Sequence, residues 1–408
     1  MTSKPSFPAL RRTLANRNFA MFTAGSLVSV IGTWMQRVAV GWLTWELTES
    51  AAWLGAVAAA EFMPTIIVAP IVGALADRYD RRAIALIGQV LATVQAAALA
   101  VLTVTGLITP IWILLLQLAS GFFQPATQTA RLVLVPSLVP RENLGNAVAI
   151  TSLTFNTARI VGPALSGLMI ATMGAGYSFA VNAASYLFVI ASLMAMTIPP
   201  RVLEEDTLTF WSSVWRDIVE GGRYALTHTD LRAAIGLIAV SSVLTWPLSD
   251  LMAGIVDAQL GRGVAGLATM TSAQGAGAIC AGLFIAQRDT HEDALRMGVT
   301  SMIFLGVALV AFGFNTTFWI AVPLAALIAF LGVITSIGTQ TTTQMVSDDR
   351  MRARTISTWY TVTRVGVASG ALILGAVASV AGFTVPLVAA GVLTSVAGLS
   401  FYRARSKT

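Results

Sequence analysis

Five ionisable side chains interrupt runs of apolar residues that are long enough to cross a lipid bilayer. They are Arg37, Glu61, Arg159, Asp250 and Arg364. A charged group in hydrocarbon is unfavourable by a few kcal/mol or more, on the order of 3 kcal/mol on insertion scales, so it faces a bundle interior or a partner. The chemistry open to such groups is proton exchange, ion pairing or the binding of a charged solute.

Glu61 and Asp250 are candidate carriers of a coupled proton. A desolvated carboxylate holds its proton firmly, and a nearby arginine reverses that preference. Arg37 and Glu61 lie at similar depth in their spans, so a pair between them is geometrically possible. A static ion pair that locks two helices together explains the same residues equally well.

Arg159 and Arg364 have two interpretations. They could bind an anionic group of a substrate, or they could brace helix ends by donating hydrogen bonds to backbone carbonyls. Bracing is the preferred interpretation, because a guanidinium donates several hydrogen bonds.

The elements that must position these groups are transmembrane helices. Hydrophobic residues make up 56% of the 408 residues and charged residues only 11%, whereas a soluble domain has about 25% charged residues. A span needs about 20 apolar residues, so there is room for a dozen. The predicted spans are 18–45, 52–76, 83–105, 109–130, 144–171, 175–198, 232–257, 264–286, 297–314, 317–342, 353–380 and 383–402.

The distribution of positive charge predicts the orientation. Of the 25 lysines and arginines, 21 fall on one side of the membrane or in helix ends that face it, and of the rest only Arg262 falls on the other side. The positive-inside rule therefore places both termini in the cytoplasm of a bacterial-type inner (plasma) membrane. The same pattern argues against nucleic acid as a partner, since the basic residues form loops rather than one basic surface.

One long connection divides the spans six and six. The predicted organisation is a cytoplasmic N-terminus (1–17), a six-helix bundle (18–198), a cytoplasmic linker (199–231), a second six-helix bundle (232–402) and a cytoplasmic C-terminus (403–408). Within the linker, aromatic and aliphatic residues from Phe210 to Ile218 recur at helical spacing. This predicts an amphipathic helix at the membrane surface.

The two halves share weak internal similarity. Thr33-Trp34 in span 1 matches Thr245-Trp246 in span 7, and Arg159 and Arg364 fall at nearly equivalent depths in spans 5 and 11. The prediction is an all-α membrane protein of twelve helices in two pseudo-symmetric bundles. In transporters built from such parallel repeats, the substrate binds between the repeats near the midplane.

The connection after span 2 carries a recognisable motif. It consists of Gly73, Asp77, Arg78, Arg81 and Arg82 with intervening residues, and it resembles the cytoplasmic loop motif of the major facilitator superfamily. The resemblance implies the major facilitator fold and a conformational latch, in which Asp77 pairs with arginines and a helix N-terminus in one state only. The chain departs from the pattern at Asp80, where the family usually has glycine.

Span 5 carries a second motif. Arg159, Gly162, Pro163 and Gly167 resemble the antiporter motif of the superfamily, which favours export. Generic small-residue packing between helices is the alternative. The chain also has Gln117 where drug/proton antiporters usually have an arginine in span 4, so a relay through that arginine is not expected.

Four further stretches are similar to one branch of the superfamily: Ile31–Arg37, Val139–Leu144, Val161–Ala164 and Trp215–Tyr224. Over the whole chain, the resemblance is to the branch that includes the enterobactin exporter. In the superfamily, spans 1, 4, 7 and 10 line the substrate cavity. The resemblance implies a lining of polar and aromatic side chains from these spans, joined by Arg364 of span 11. The candidates are Trp34, Gln36, Gln117, Gln124, Trp246, Thr335, Thr339, Gln340 and Arg364. Such a lining suits an amphiphilic organic compound better than a sugar.

The leading hypothesis is a monomeric secondary transporter that exports a siderophore- or drug-like compound by proton antiport through alternating access. The alternatives are a uniporter or importer and, from another class, a membrane receptor or scaffold. An enzyme is not expected, because no nucleophile–base pair or ligand cluster is apparent. No cofactor or metal is expected either, since His228 and His291 lie in polar loops and Cys280 is the single cysteine.

Overall fold

The computed structural model describes residues 13–196, 210–287 and 294–405, and these form α-helices joined by short turns. The first half contains α1 (Arg17–Thr48), α2 (Ala51–Arg78), α3 (Arg81–Val104), α4 (Pro110–Leu138), α5 (Leu144–Met173) and α6 (Ala175–Ala195). The linker contributes α7 (Phe210–Thr227). The second half contains α8 (Thr229–Leu244), α9 (Leu248–Gly254), α10 (Gly263–Ala286), α11 (Ala294–Phe314), α12 (Phe318–Val346), α13 (Arg352–Ala381) and α14 (Thr384–Arg405).

Most of these helices are long and apolar enough to cross a membrane. Within the described ranges, nine segments meet that condition by length and composition. The three remaining long helices of the first half, α1, α4 and α5, have 32, 29 and 30 residues. Each exceeds the roughly 20 residues that a span requires. The helices therefore follow the predicted order of spans, with bounds that differ by a few residues.

Span 7 differs from its prediction as one continuous helix. The structure divides it into α8, a turn at Thr245–Pro247, α9 and a π-helical turn, Ile255–Gln259. Pro247 has no backbone N–H and its ring clashes with the carbonyl four residues earlier, so an α-helix cannot run through it undisturbed. Broken helices and π-turns inside membrane bundles are frequent at functional sites.

A glycine with positive φ follows the helix of the fifth span in each half. Gly174 lies between α5 and α6 with φ of 94°, and Gly382 lies between α13 and α14 with φ of 73°. These backbone conformations are costly for residues that carry a Cβ. Equivalent glycine turns in the two halves agree with the internal repeat seen in the sequence.

The described chain separates into two compact units. Unit 1 consists of Met1–Leu43 and Ile67–Thr207, and unit 2 consists of Thr44–Ile66 and Leu208–Thr408. One core cluster of unit 1 contains Phe19, Phe22, Val135, Ile150 and Leu193, which α1, α4, α5 and α6 contribute. A corresponding cluster of unit 2 packs Ala234 and Leu237 of α8 on Leu295, Val299 and Met302 of α11.

Candidate functional site

Two arginines meet at one indole in unit 1. The guanidinium carbon of Arg37 lies 5.8 Å from the centroid of the Trp34 ring, and that of Arg159 lies 5.6 Å from it. Both guanidiniums therefore lie within 6 Å of the same ring. Phe155 makes an edge-to-face contact with Trp34 at a centroid distance of 6.1 Å. We call this group of Trp34, Arg37, Phe155 and Arg159 the arginine–indole cluster.

The small residues of the α5 motif bring α5 against α1. A Cβ at Gly162 would lie 2.5 Å from the Cβ of Trp34 and 2.9 Å from the carbonyl oxygen of Ile31. One turn later, the hydroxyl of Ser166 donates to the Met35 carbonyl at 2.9 Å. Pro163 and Gly167 are also buried. The motif thus fixes the distance between α1 and α5, which lets Arg159 reach the Trp34 ring.

A chain of four amide side chains crosses the interior of unit 1. Asn182 of α6 donates to Gln36 of α1 at 2.7 Å, and Gln36 donates to Gln95 of α3 at 3.0 Å. Gln95 in turn donates to the side chain of Gln117 in α4 at 3.2 Å. All four residues are buried. Two predicted cavity residues, Gln36 and Gln117, therefore belong to an interhelical network, and whether either also contacts a substrate stays a prediction.

In unit 2, Arg364 and Glu61 lie on neighbouring helices. The Arg364 guanidinium lies 5.6 Å from the ring centroid of Phe62, the residue that follows Glu61. Phe62 is buried against Val367 of α13, while Glu61 is half-buried. Arg364 and Phe62 therefore lie at the contact between α2 and α13, and Glu61 is the neighbour of Phe62 in α2.

Glycines at this contact allow the two helices to approach closely. A Cβ at Gly375 of α13 would lie 2.6 Å from the Ala51 carbonyl oxygen and 3.1 Å from the Cα of Gly55. A Cβ at Gly55 would overlap the carbonyl oxygen of Ala371. The backbones themselves are therefore in contact, which is characteristic of small-residue helix crossings in membranes.

The polar candidates of α12 pair mainly with α13. The indole N–H of Trp359 donates to the hydroxyl of Thr339 at 3.2 Å, and the side-chain amide of Gln340 donates to the hydroxyl of Tyr360 at 3.0 Å. Thr339 is fully buried, whereas Tyr360 is exposed. Thr335 is also fully buried, and its hydroxyl donates to the Leu331 carbonyl of its own helix at 3.0 Å.

Two of the remaining membrane candidates lie at the break in span 7, and the third lies within α4. Trp246 lies in the turn between α8 and α9 and is 40% exposed, and Asp250 is half-buried in the first turn of α9. Gln124 is half-buried in α4, and its carbonyl accepts a hydrogen bond from Thr127 at 2.9 Å.

A carboxylate that sequence reasoning passed over lies in the π-turn of span 7. The indole N–H of Trp45 donates to the carboxylate of Asp257 at 2.9 Å. Trp45 also packs on Phe383, with ring centroids 5.8 Å apart. Asp257 ends an apolar run, which could have marked it as a candidate. Because it is also the last residue of predicted span 7, it was not counted among the intramembrane carboxylates.

The loop motif is described in part. The surroundings of Gly73 and the side chains of Asp77, Arg78 and Arg81 lie outside what the structure describes, so the predicted latch among them stays a prediction. Asp80 caps α3 by accepting a hydrogen bond from the backbone N–H of Arg82 at 2.9 Å, with φ of −60°. No glycine is needed at this φ, which accounts for the departure from the family pattern. Arg82 donates to the Met194 carbonyl in the last turn of α6 at 2.7 Å.

The candidate site residues could be picked from the sequence, but the side chains that they contact could not. Gln95 and Asn182 are isolated amides inside apolar helices, and that isolation was a usable signal. Phe155 offered none, since an exposed aromatic residue is ordinary in a membrane helix. In the part of the chain that the structure describes, no three His, Cys, Asp or Glu side chains are grouped to hold a metal ion.

Comparison with known proteins places this architecture among transporters. A family model described as "Transmembrane secretion effector" (MFS_3) matches residues 11–408. The enterobactin exporter EntS of Citrobacter koseri is 28% identical over 332 residues, which cover 78% of this chain and 76% of the relative. The multidrug efflux pump Tap of Mycolicibacterium fortuitum is 26% identical over 318 residues, or 77% of this chain and 76% of the relative.

Solved transporters share the fold at low sequence identity. A bacterial homologue of the human lysosomal transporter Spinster, crystallised in an inward-facing unoccupied state, superposes with a TM-score of 0.73 at 14% identity. The match covers 98% of this chain and 97% of that one. The nucleoside transporter NupG superposes with a TM-score of 0.70 at 13% identity, covering 95% and 98% of the two chains.

Proposed function

Because the chain belongs to the transmembrane secretion effector family of the major facilitator superfamily, we propose that this transporter exports a small amphiphilic organic compound in exchange for protons. Membership of the family confirms the superfamily resemblance, the predicted fold class, and the prediction of a multi-pass membrane transporter rather than an enzyme. Family membership alone does not establish export, proton coupling or the class of compound, and these three properties are proposed here.

The observation that carries the proposal is the agreement between the relatives and the intramembrane lining. Relatives that match about three quarters of the chain are an enterobactin exporter and a multidrug efflux pump. Aromatic and amide side chains with few fixed charges suit amphiphilic compounds of this general kind. The small-residue motif of α5 is consistent with the antiporter pattern of the superfamily.

Proton coupling is assigned to Glu61, Asp250 and Arg37. Glu61 and Asp250 are half-buried carboxylates in helices that cross the membrane. Burial favours the protonated form and a cation favours the ionised form, so a change of partners between two states would take up and release a proton. Asp77 and the arginines of its loop would latch one of those states at the cytoplasmic side of an inner membrane.

The proposal is tested in inside-out membrane vesicles with an acidified lumen and a luminal pH reporter. Siderophores, antibiotics and dyes are added singly, and proton release is compared among wild type, Glu61→Gln, Asp250→Asn and Asp77→Asn. Asp349→Asn is the matched control, since the Asp349 side chain is 88% exposed on a surface turn. We expect compound-triggered proton release in wild type and in the control, and its loss in at least one membrane carboxylate variant.

Three results would contradict parts of this proposal. Uptake of a compound at the same rate with and without the gradient would favour a uniporter. Intact proton release in both Glu61→Gln and Asp250→Asn would remove these carboxylates from the coupling mechanism and leave them as structural ion-pair residues. Failure of every compound to move would favour a receptor or scaffold.

A further inference from the structure

We propose that Trp45, Gly254, Asp257 and Phe383 form a latch that keeps the outer end of the transporter closed and separates when that end opens. We call these four residues the outer latch. The outer end is the one opposite to the basic loops, and the positive-inside rule predicts that it faces away from the cytoplasm. The inference goes beyond the proposed function, since a transporter with alternating access must open and close this end whatever its compound or coupling ion.

A charge-assisted hydrogen bond is the polar part of the outer latch. The indole N–H of Trp45, in the last turn of α1, donates to the Asp257 carboxylate at 2.9 Å. Trp45 is 7% exposed, whereas Asp257 is half-buried. A hydrogen bond to an ionised acceptor is about twice as strong as a neutral one. Because Asp257 lies near the outer end of span 7, water can replace the indole N–H as its donor when that end opens.

The Trp45 ring also rests on apolar neighbours from spans 7 and 11. Its centroid lies 5.8 Å from that of Phe383, in the turn between α13 and α14. A Cβ at Gly254, immediately before the π-turn, would lie 2.8 Å from Cζ3 of the Trp45 ring. The ring therefore occupies space that a side chain at residue 254 would need. One side chain of α1 is thus held by α9, the π-turn and the turn after α13.

The outer latch joins spans of the two predicted repeats within one compact unit. Spans 1 and 2 belong to the first repeat, yet Thr44–Ile66, at their outer ends, lie with spans 7 and 11 in unit 2. Only Glu49 and Ser50 connect α1 to α2, so the outer ends of these helices move together. In transporters of this architecture, access alternates as one repeat moves against the other. The contact of Trp45 with span 7 must therefore break in the state that opens outward.

Small residues form a second part of the contact between this hairpin and unit 2. Gly55 and Ala51 of α2 meet Gly375 and Ala371 of α13 through backbone atoms. Such crossings are held by close van der Waals packing, and glycine and alanine have no long side chains that could interlock. Trp45 adds a large ring and a hydrogen bond to the attachment of the same hairpin. The closed end therefore depends strongly on this one side chain.

The experiment measures the distance between two spin labels at the outer end by pulsed electron paramagnetic resonance. In a Cys280→Ser background, Glu46→Cys and Thr316→Cys place the labels on exposed residues at the end of α1 and in the turn between α11 and α12. Full-length transporter is purified as the monodisperse peak and measured in lipid nanodiscs without compound or gradient. The variants are Trp45→Phe, which keeps a ring but removes the N–H, Asp257→Leu, and the two combined.

We expect wild type to give mainly the short distance of the closed end. Trp45→Phe and Asp257→Leu should each raise the ratio of long to short distances about tenfold, because each removes the charge-assisted hydrogen bond from the closed state alone. The double variant should exceed the larger single effect by less than about twofold, since both changes remove one contact. Trp112→Phe is the matched control, an indole of α4 that is 47% exposed, and it should leave the ratio unchanged.

Unchanged populations in Trp45→Phe and Asp257→Leu would overturn the inference, because the pair would then be a static contact that persists in both states. Fully additive shifts would also overturn it, since the two residues would then not act through one hydrogen bond. The inference and the proposed function fail separately. A responsive latch in a protein that releases no protons would refute antiport alone, and proton release with unchanged populations in both variants would refute the latch alone.

Discussion

At the scale of single residues, the interior of unit 1 is organised by neutral amides. The chain from Asn182 through Gln36 and Gln95 to Gln117 joins four helices without placing a charge among them. An amide can donate and accept at once, so one such side chain links two neighbours. The network fixes how α1, α3, α4 and α6 rotate against one another, because its hydrogen bonds have no water to replace them.

Replacing two buried glutamines of α3 by leucine should change the free energy of unfolding differently, because only one of them belongs to this network. Gln95→Leu removes the acceptor of Gln36 and a donor to Gln117, so we expect a loss of about 1–2 kcal/mol in the free energy of unfolding. Gln89 is equally buried, but its side-chain nitrogen has no hydrogen-bond partner among the described residues. Gln89→Leu should therefore be neutral or stabilising. Unfolding of both variants in SDS measures the difference, and equal losses would contradict the account of the network.

At the scale of elements, the linker helix α7 packs on α13 as well as being amphipathic. Glu220 of α7 forms an ion pair with Arg354, and the Tyr224 hydroxyl accepts a hydrogen bond from the backbone N–H of Asp348 at 3.2 Å. A Cβ at Gly221 would lie 2.5 Å from the Arg354 carbonyl oxygen. The linker is thus held to unit 2 by specific contacts, in addition to any contact with the membrane surface.

Adjacent glycines of α7 provide a matched pair for this contact. Gly221→Ala should displace α7 from α13, because the new Cβ meets backbone that cannot move aside. Gly222→Ala should not, since its Cβ would have only Thr358 Cγ2 at 4.0 Å as a neighbour. Hydrogen exchange across α7 is the measurement, and we expect roughly tenfold faster exchange for Gly221→Ala, which is about 1.4 kcal/mol of lost protection. The same exchange rates in both variants would refute close docking.

The helices could be predicted from the sequence, but most of their contacts could not. Apolar runs bounded by charges and glycines define the spans, because a bilayer requires continuous apolar helices. The break at Pro247 was visible as a residue, yet its effect on span 7 depends on how α13 packs beside it. The pairing of Arg159 with Trp34 depends on helix rotation, which the spacing of small residues limits without fixing.

At the scale of the whole molecule, the distribution of arginine predicts the orientation in the membrane. The chain allows a direct test because Cys280 is its only cysteine, and it is exposed. In a Cys280→Ser background, Leu107→Cys and Asp349→Cys place single reporters at exposed positions on opposite predicted sides. A membrane-impermeant maleimide added to intact spheroplasts should label Leu107→Cys and spare Asp349→Cys. The reverse pattern would invert the topology.

The central claim is that compound and protons move in opposite directions through one protein. The most direct measurement reconstitutes purified transporter in liposomes, clamps the membrane potential with valinomycin, and follows a compound identified in the vesicle assay. With equal compound on both sides, we expect net flux toward the acidic side, and reversal of the flux when the pH gradient is reversed. Flux toward the alkaline side would instead indicate proton symport. No net flux under either gradient, alongside rapid exchange of labelled compound, would contradict proton antiport and identify a uniporter.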